Sequence, residues 1–259
     1  MAVSPVLVEL HEQVGVITLN RPDKFNCISR GLSDGLRDSV QSLEANPTCH
    51  AVMIKASGKH FCTGADLDEV LAARESRATL EAFITAGHDA LAALEYSRLP
   101  IVAAVHGLCL AGGLELMMAC DVVFAANSAR FGDQHAQYGL IPGWGGTQRL
   151  PRLVGLRRAL HLMYSAEWLD AVTACEWGLV NVVVEEAALA ERAMTYAQAL
   201  AARNPQSIAA MKSLARRGLD VPLAEGLARE CGCVVDALRT QNVTEGLAAF
   251  QARRTPKFD

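Results

Sequence analysis

The chain has 259 residues, 51% of them hydrophobic but only 5% aromatic, with a net charge of −4 and an isoelectric point of about 6.0. That length fits one large domain or a domain with a small appendage, and the apolar content excludes a disordered chain. The slightly acidic balance removes any electrostatic ground for nucleic acid as a partner. The longest apolar run, Leu99 to Ala111, is broken by Pro100, His106 and Gly107 and falls short of the roughly 18 residues of a membrane span. Met1-Ala2-Val3-Ser4-Pro5 lacks a basic segment followed by an apolar one, so no secretory signal is expected. The cysteines are scattered without a Cys-x-x-Cys pair and read as reduced, mostly buried thiols of a cytoplasmic protein.

In chain order, Val14 to Leu19 predicts a strand closed by the turn-forming cluster Asn20-Arg21-Pro22-Asp23-Lys24. Leu36, Val40 and Leu43 carry helical spacing over Ser33 to Ala45, and Ala51 to Ala56 predicts a second buried strand. A Gly-bearing loop, Ser57 to Leu67, then leads to a helix, and a longer helix is expected over Thr79 to Tyr96. Further strands are predicted at Ile101 to Val105, Asp121 to Ala125 and Gly178 to Val184. The recurring strand, loop and helix suggest repeated α/β units with at least partly parallel strands. After Glu185 the pattern is almost wholly helical, with breaks at Asn204-Pro205 and Val221-Pro222. Residues 1–203 therefore read as the core and 204–259 as a helical region that packs on a neighbour.

Ala111-Gly112-Gly113-Leu114-Glu115, following the Ile101 strand, is the stretch around which the chain is organised. Glycines at a strand-to-helix turn permit unusual backbone angles and close approach of another molecule. Free N–H groups at a helix start favour an oxygen that carries or develops negative charge, and Glu115 falls in the first turn beside them. The pairing suits chemistry next to a polarised carbonyl. A Gly pair before a helix is also simply a tight turn, and the helix dipole alone favours a first-turn Glu. A second Gly loop at Gly64-Ala65-Asp66 precedes a helix too. If both loops aim N–H groups at one point, they form an oxyanion hole.

Together these segments resemble the enoyl-CoA hydratase/isomerase, or crotonase, family. The resemblance is carried by Phe61-Cys62-Thr63-Gly64-Ala65-Asp66-Leu67, Ala104-Val105-His106-Gly107, Ala111-Gly112-Gly113-Leu114-Glu115-Leu116, Gly139-Leu140-Ile141-Pro142-Gly143 and Gly145-Gly146-Thr147-Gln148-Arg149-Leu150-Pro151-Arg152. Asp121, Ala129-Arg130-Phe131-Gly132, Trp177-Gly178-Leu179-Val180 and the tail from Phe250 to Phe258 extend it over nearly the whole chain. It implies an α/β fold, a crotonase-like spiral of strand-strand-helix units followed by a C-terminal helical trimerisation region, assembled as homotrimers or dimers of trimers. It also implies an acyl-CoA substrate and no cofactor or metal, coenzyme A being part of the substrate. Carried over by position, the Ala65 and Gly112 N–H groups form the oxyanion hole and Glu115 is a catalytic acid/base. Lys24, Asn26, Asp66, Leu67, Gly113, Pro142, Gly143 and Trp144 are expected to contact substrate, and Arg254 and Lys257 could reach the CoA phosphates of a neighbouring subunit.

The chain departs from the family at one position. Hydratases of the family place a second Glu around the water, where this sequence has Phe131-Gly132-Asp133-Gln134-His135. Three readings compete: His135 assists Glu115, its imidazole titrating near neutrality; Asp133 swings inward; or His135 is inert and Glu115 acts alone. Gly143 stands where the family's dienoyl isomerases carry Asp. The leading expectation is hydration of a 2-enoyl-CoA. A decarboxylase, an isomerase or a non-catalytic acyl-CoA binder is the alternative.

Overall fold

The computed structural model describes residues 4–258. Its strands are β1 (Val6–His11), β2 (Val14–Leu19), β3 (Ala51–Ala56), β4 (Ile101–Val105), β5 (Leu108–Leu110), β6 (Val122–Ala126), β7 (Arg130–Gly132), β8 (Leu169–Asp170) and β9 (Val182–Val184). One sheet has the order β1-β2-β3-β4-β6-β9 and a second, smaller one β5-β7-β8. β1 pairs antiparallel with β2, and the remaining pairs of the larger sheet are parallel, in the registers Val14↔Ala51, Val52↔Ile101, Val102↔Val122 and Phe124↔Val182. Strand β4 is buried along its whole length, as parallel strands covered on both faces must be.

The helices are α1 (Arg30–Ala45), α2 (Leu67–Ala73), α3 (Arg77–Tyr96), α4 (Gly112–Ala119), α5 (Gly146–Val154), α6 (Leu156–Ser165), α7 (Ala171–Glu176), α8 (Leu189–Ala201), α9 (Pro205–Gly218), α10 (Leu223–Ala237) and α11 (Gln241–Ala252). Helix α1 starts where the Ser29 hydroxyl accepts a bond from the Leu32 N–H at 3.1 Å, a cap worth about 1 kcal/mol. Its stripe of Leu32, Leu36, Val40 and Leu43 is buried, each side chain contributing about 2 kcal/mol as an upper figure. Helix α4 differs: all eight of its residues are buried, the mark of a helix inside the core rather than on its surface. The succession β4, β5, α4 is one strand-strand-helix unit, and it delivers α4 to the centre.

Helix α9 is tied to this core by charge. Lys212 Nζ donates to the Leu94 and Leu99 carbonyls at 3.0 and 2.9 Å and pairs with Asp121 at 2.7 Å. Arg216 bonds Asp121 and Glu95, and Glu95 also takes the guanidinium of Arg149. The Arg149 Nη1 reaches on to the Trp144 carbonyl at 2.7 Å. A continuous ionic chain thus joins α9 to the loop after Pro142.

Several sequence expectations shift. Strands β1, β5 and β7 arise where none was predicted, and the strand expected over Gly178 to Val184 shortens to Val182–Val184. Gly178 has φ +82°, so the chain is still turning there. The Gly112-Gly113 pair lies inside the first turn of α4 rather than before it. The helical tail forms as expected, while Arg254 is held within its own chain by Glu245 at 2.6 and 2.7 Å.

Candidate active site

Two loops meet over the start of α4. Gly64 takes φ +117°, a conformation that side chains rarely tolerate. A Cβ placed on it would lie 3.2 Å from the Ala111 Cβ and 3.7 Å from the Gly112 nitrogen. Ala111 sits at φ 49° and ψ −119°, a sparsely populated conformation costing about 1–3 kcal/mol. It is held there because its N–H donates to the Gly132 carbonyl at 2.9 Å and its carbonyl accepts from the Glu115 N–H at 3.1 Å. Among the described residues the Ala65 and Gly112 N–H groups donate to no loop, turn or cap partner, and both residues line the same cavity. Two unpaired donors on adjacent loops can stabilise one developing oxyanion.

Glu115 is 1% exposed. Its Oε1 accepts the Trp144 and Gly146 main-chain N–H groups, both at 2.7 Å. Its Oε2 is the buried side-chain oxygen that has no partner among the described residues. Burial pushes this carboxyl above the ordinary carboxylate range, more strongly than the two amides and the His135 charge pull it down. His135, at the entry to a short 3-10 turn (Ala136–Tyr138), brings Nε2 to 3.9 Å from that oxygen. Its Nδ1 lies 2.8 Å from Oδ1 of buried Asp133. Burial alone would lower the imidazole pKa, but the hydrogen bond and charge of Asp133, joined by the charge of Glu115, outweigh it and the net shift is upward.

The cavity beside these groups measures about 570 Å³ and is lined by Lys24, Asp66, Leu67, Gly143 and Trp144 among the expected residues. Lys24 reaches Asp68 at 2.8 Å on the surface. Asp66 binds Arg21 at 2.6 Å and caps α2 through the Asp68 N–H. Burial raises its pKa, but the Arg21 guanidinium and the cap bonds more than offset this and leave it lowered. The Trp144 ring is buried, donates through Nε1 to the Ile84 carbonyl at 3.1 Å and packs against Phe83 at a centroid distance of 5.7 Å.

Three expected contact residues are not on the cavity wall. Asn26 is fully buried, its Oδ1 accepting from the Arg21 N–H and its Nδ2 donating to the Ser57 and His60 carbonyls. Its side-chain bonds hold the loop together. Gly113 faces inward against the Cys62 carbonyl, and Pro142 packs on Gly146. Phe83, Ile84 and Trp168, which do line the cavity, were missed. Phe83 and Ile84 lie on α3, where apolar spacing signals only core, and no local signal brings Trp168 to the site.

Comparison with known proteins identifies the family. The family model for enoyl-CoA hydratase/isomerase matches residues 9–259. A probable enoyl-CoA hydratase of Mycobacterium tuberculosis is 36% identical over 100% of this chain and 99% of its own length. The crotonyl-CoA hydratase of Syntrophomonas wolfei is 33% identical with the same two coverages. The crystal structure of an enoyl-CoA hydratase from Bacillus anthracis superposes with a TM-score of 0.94, at 33% identity and 98% coverage of both chains. The chain belongs to the enoyl-CoA hydratase/isomerase family.

Proposed function

We propose that this protein adds water across the 2,3 double bond of a 2-enoyl-CoA thioester. The observation that carries the reading is the unpartnered Glu115 Oε2 facing His135 Nε2 across 3.9 Å, beside the free amides of Ala65 and Gly112. The relatives described as hydratases over the whole chain support it.

The thioester oxygen accepts from the Ala65 and Gly112 N–H groups, and this polarisation leaves the β-carbon electrophilic. Water held between Glu115 and His135 attacks that carbon. Glu115 takes one proton of the water, and the π electrons move onto the carbonyl oxygen as an enolate. The His135 imidazolium delivers its Nε2 proton to the α-carbon, and the enolate returns to the thioester. The proton on Glu115 then passes back to Nε2. One water is consumed, and no cofactor, oxidant or reductant is required. Lys24, Asp66 and Leu67 sit where the CoA portion would pass, and the apolar wall around Phe83, Ile84 and Trp144 takes the acyl group.

Trimers, or pairs of trimers, belong to the same reading. The exposed Leu219, Leu223, Leu227 and Leu238 of the helical tail support it, and sedimentation velocity tests it. Residence in the cytoplasm is supported by thiols that are all unpaired.

The test follows loss of enoyl-thioester absorbance with crotonyl-CoA and a longer 2-enoyl-CoA. The wild type is expected to hydrate at least one of them. Glu115→Gln should lower kcat about 10³-fold, within the range for removing a general acid/base. The rate should fall at low pH as Glu115 takes up a proton and at high pH as His135 loses one. Undiminished turnover by Glu115→Gln would sink the mechanism.

A further inference from the structure

We propose that Asp133 is a positioning residue for this reaction, fixing His135 so that Nε2, and not Nδ1, carries the exchangeable proton toward Glu115. The inference rests on the hydratase reading above.

Asp133 is 1% exposed and is not on the cavity wall, so it acts on substrate only through a neighbour. Both hydrogen bonds recorded for its carboxylate come from one residue. Its Oδ1 accepts the His135 main-chain N–H at 3.2 Å and the ring Nδ1 at 2.8 Å. A buried carboxylate costs free energy unless its partners compensate. Asp121, a carboxylate with a structural task, ties together β4, the residue preceding β6, and α9. Asp133 ties down only the residue two places further on. Its burial therefore has one visible beneficiary, the His135 ring.

The chemistry of that bond decides the tautomer. An ionised carboxylate only accepts, so Nδ1 must carry a hydrogen in both the neutral and the charged ring. Proton gain and loss are thereby confined to Nε2. That atom is 3.9 Å from Glu115 Oε2, too far for a direct hydrogen bond. One water at about 2.8 Å from each atom fits the gap. The charged groups recorded against the ring are Asp133 from its own segment and Glu115 from α4. The intervening Gln134 is neutral and turned away to the Ala166 carbonyl. Both carboxylates favour the imidazolium, the form that gives its Nε2 proton to the α-carbon.

The first measurement uses the wild-type protein with 13C-labelled histidine. Nuclear magnetic resonance then reads the neutral-ring tautomer and the titration of His135, assigned by its absence in His135→Gln. The Nδ1–H tautomer is expected. The Nε2–H tautomer overturns the proposal without any Asp133 variant. The second is Asp133→Asn, assayed for hydration across pH. We expect kcat to fall about 10- to 100-fold, the range for losing a carboxylate partner behind a functional histidine, with KM changed less than about threefold. Removing a charge that favours the imidazolium lowers the His135 pKa, so the alkaline limb should move to lower pH. A purely structural role would lower the folded fraction and leave that limb in place, and this outcome overturns the proposal. If the wild type hydrates neither thioester, the hydratase reading fails on its own. The wild-type tautomer then still decides whether Asp133 governs His135.

Discussion

Two clusters of charge flank the loop that follows Pro142, one half-buried around Asp121 and one buried around Glu115, and they are finished differently. In the cluster around Asp121, Lys212 uses its donors on the Leu94 and Leu99 carbonyls and on Asp121, while Arg216 and Arg149 share Glu95. In the cluster around Glu115, one carboxylate oxygen is satisfied twice by main-chain amides and the other has no hydrogen-bond partner among the described residues. Hydrogen bonds to charged groups stabilise when complete and cost heavily when one member is left open. The first cluster therefore reads as an anchor. The second withholds a bond, which in the proposed mechanism a substrate-bound water completes.

Breaking the anchor should have the largest effect on stability. Lys212→Met leaves Asp121 short of one cation and two carbonyls unpaired, at a cost of about 2 kcal/mol, within the range for hydrogen bonds to a charged group. Chemical denaturation is expected to show that loss, while hydration per folded molecule stays at the wild-type level. A fall in kcat matching the fall in stability would erase the distinction between the clusters.

Glu115→Gln should do the reverse, lowering turnover about 10³-fold while stabilising the fold by about 1–2 kcal/mol, a few degrees in unfolding temperature. The sign follows from the raised pKa of Glu115. The folded chain binds this proton more tightly than the unfolded chain does. Stability therefore falls as pH rises from the unfolded carboxylate value through the folded one, and above the folded value the whole penalty is present. Calorimetry at pH 7 showing a lower unfolding temperature for the variant would contradict this account.

Arg149 is where the clusters touch, gripping Glu95 and the carbonyl of Trp144, whose N–H serves Glu115. Lysine cannot hold both. Arg149→Lys should cost about 1 kcal/mol of transition-state stabilisation, several-fold in kcat, with a small loss of stability. An unchanged kcat would mean that the loop keeps its place without the guanidinium.

Much of the fold could be read from local pattern. Apolar runs marked β2, β3 and β4 to the residue, because buried parallel strands leave an uninterrupted signal. β5 and β7 are three residues each, too short for any period to show. β1 has five exposed residues out of six, so burial never shaped its sequence. At the site, glycines and Glu115 were visible through their spacing, and His135 through a departure from the family pattern. The role inferred for Asp133 was not, because the i to i+2 contact depends on a loop conformation that spacing does not encode. The cavity wall from α3 depends on tertiary packing alone.

Trp144 divides its work between main chain and side chain: the amide holds the Glu115 carboxylate, while the indole shapes the cavity. Any amino acid except proline supplies the same amide. Substitution at this position can therefore redraw which acyl groups enter without dismantling the acid/base machinery. For a lineage diversifying its substrates, that would make residue 144 a cheap place to experiment, since the amide that holds Glu115 survives a change of side chain.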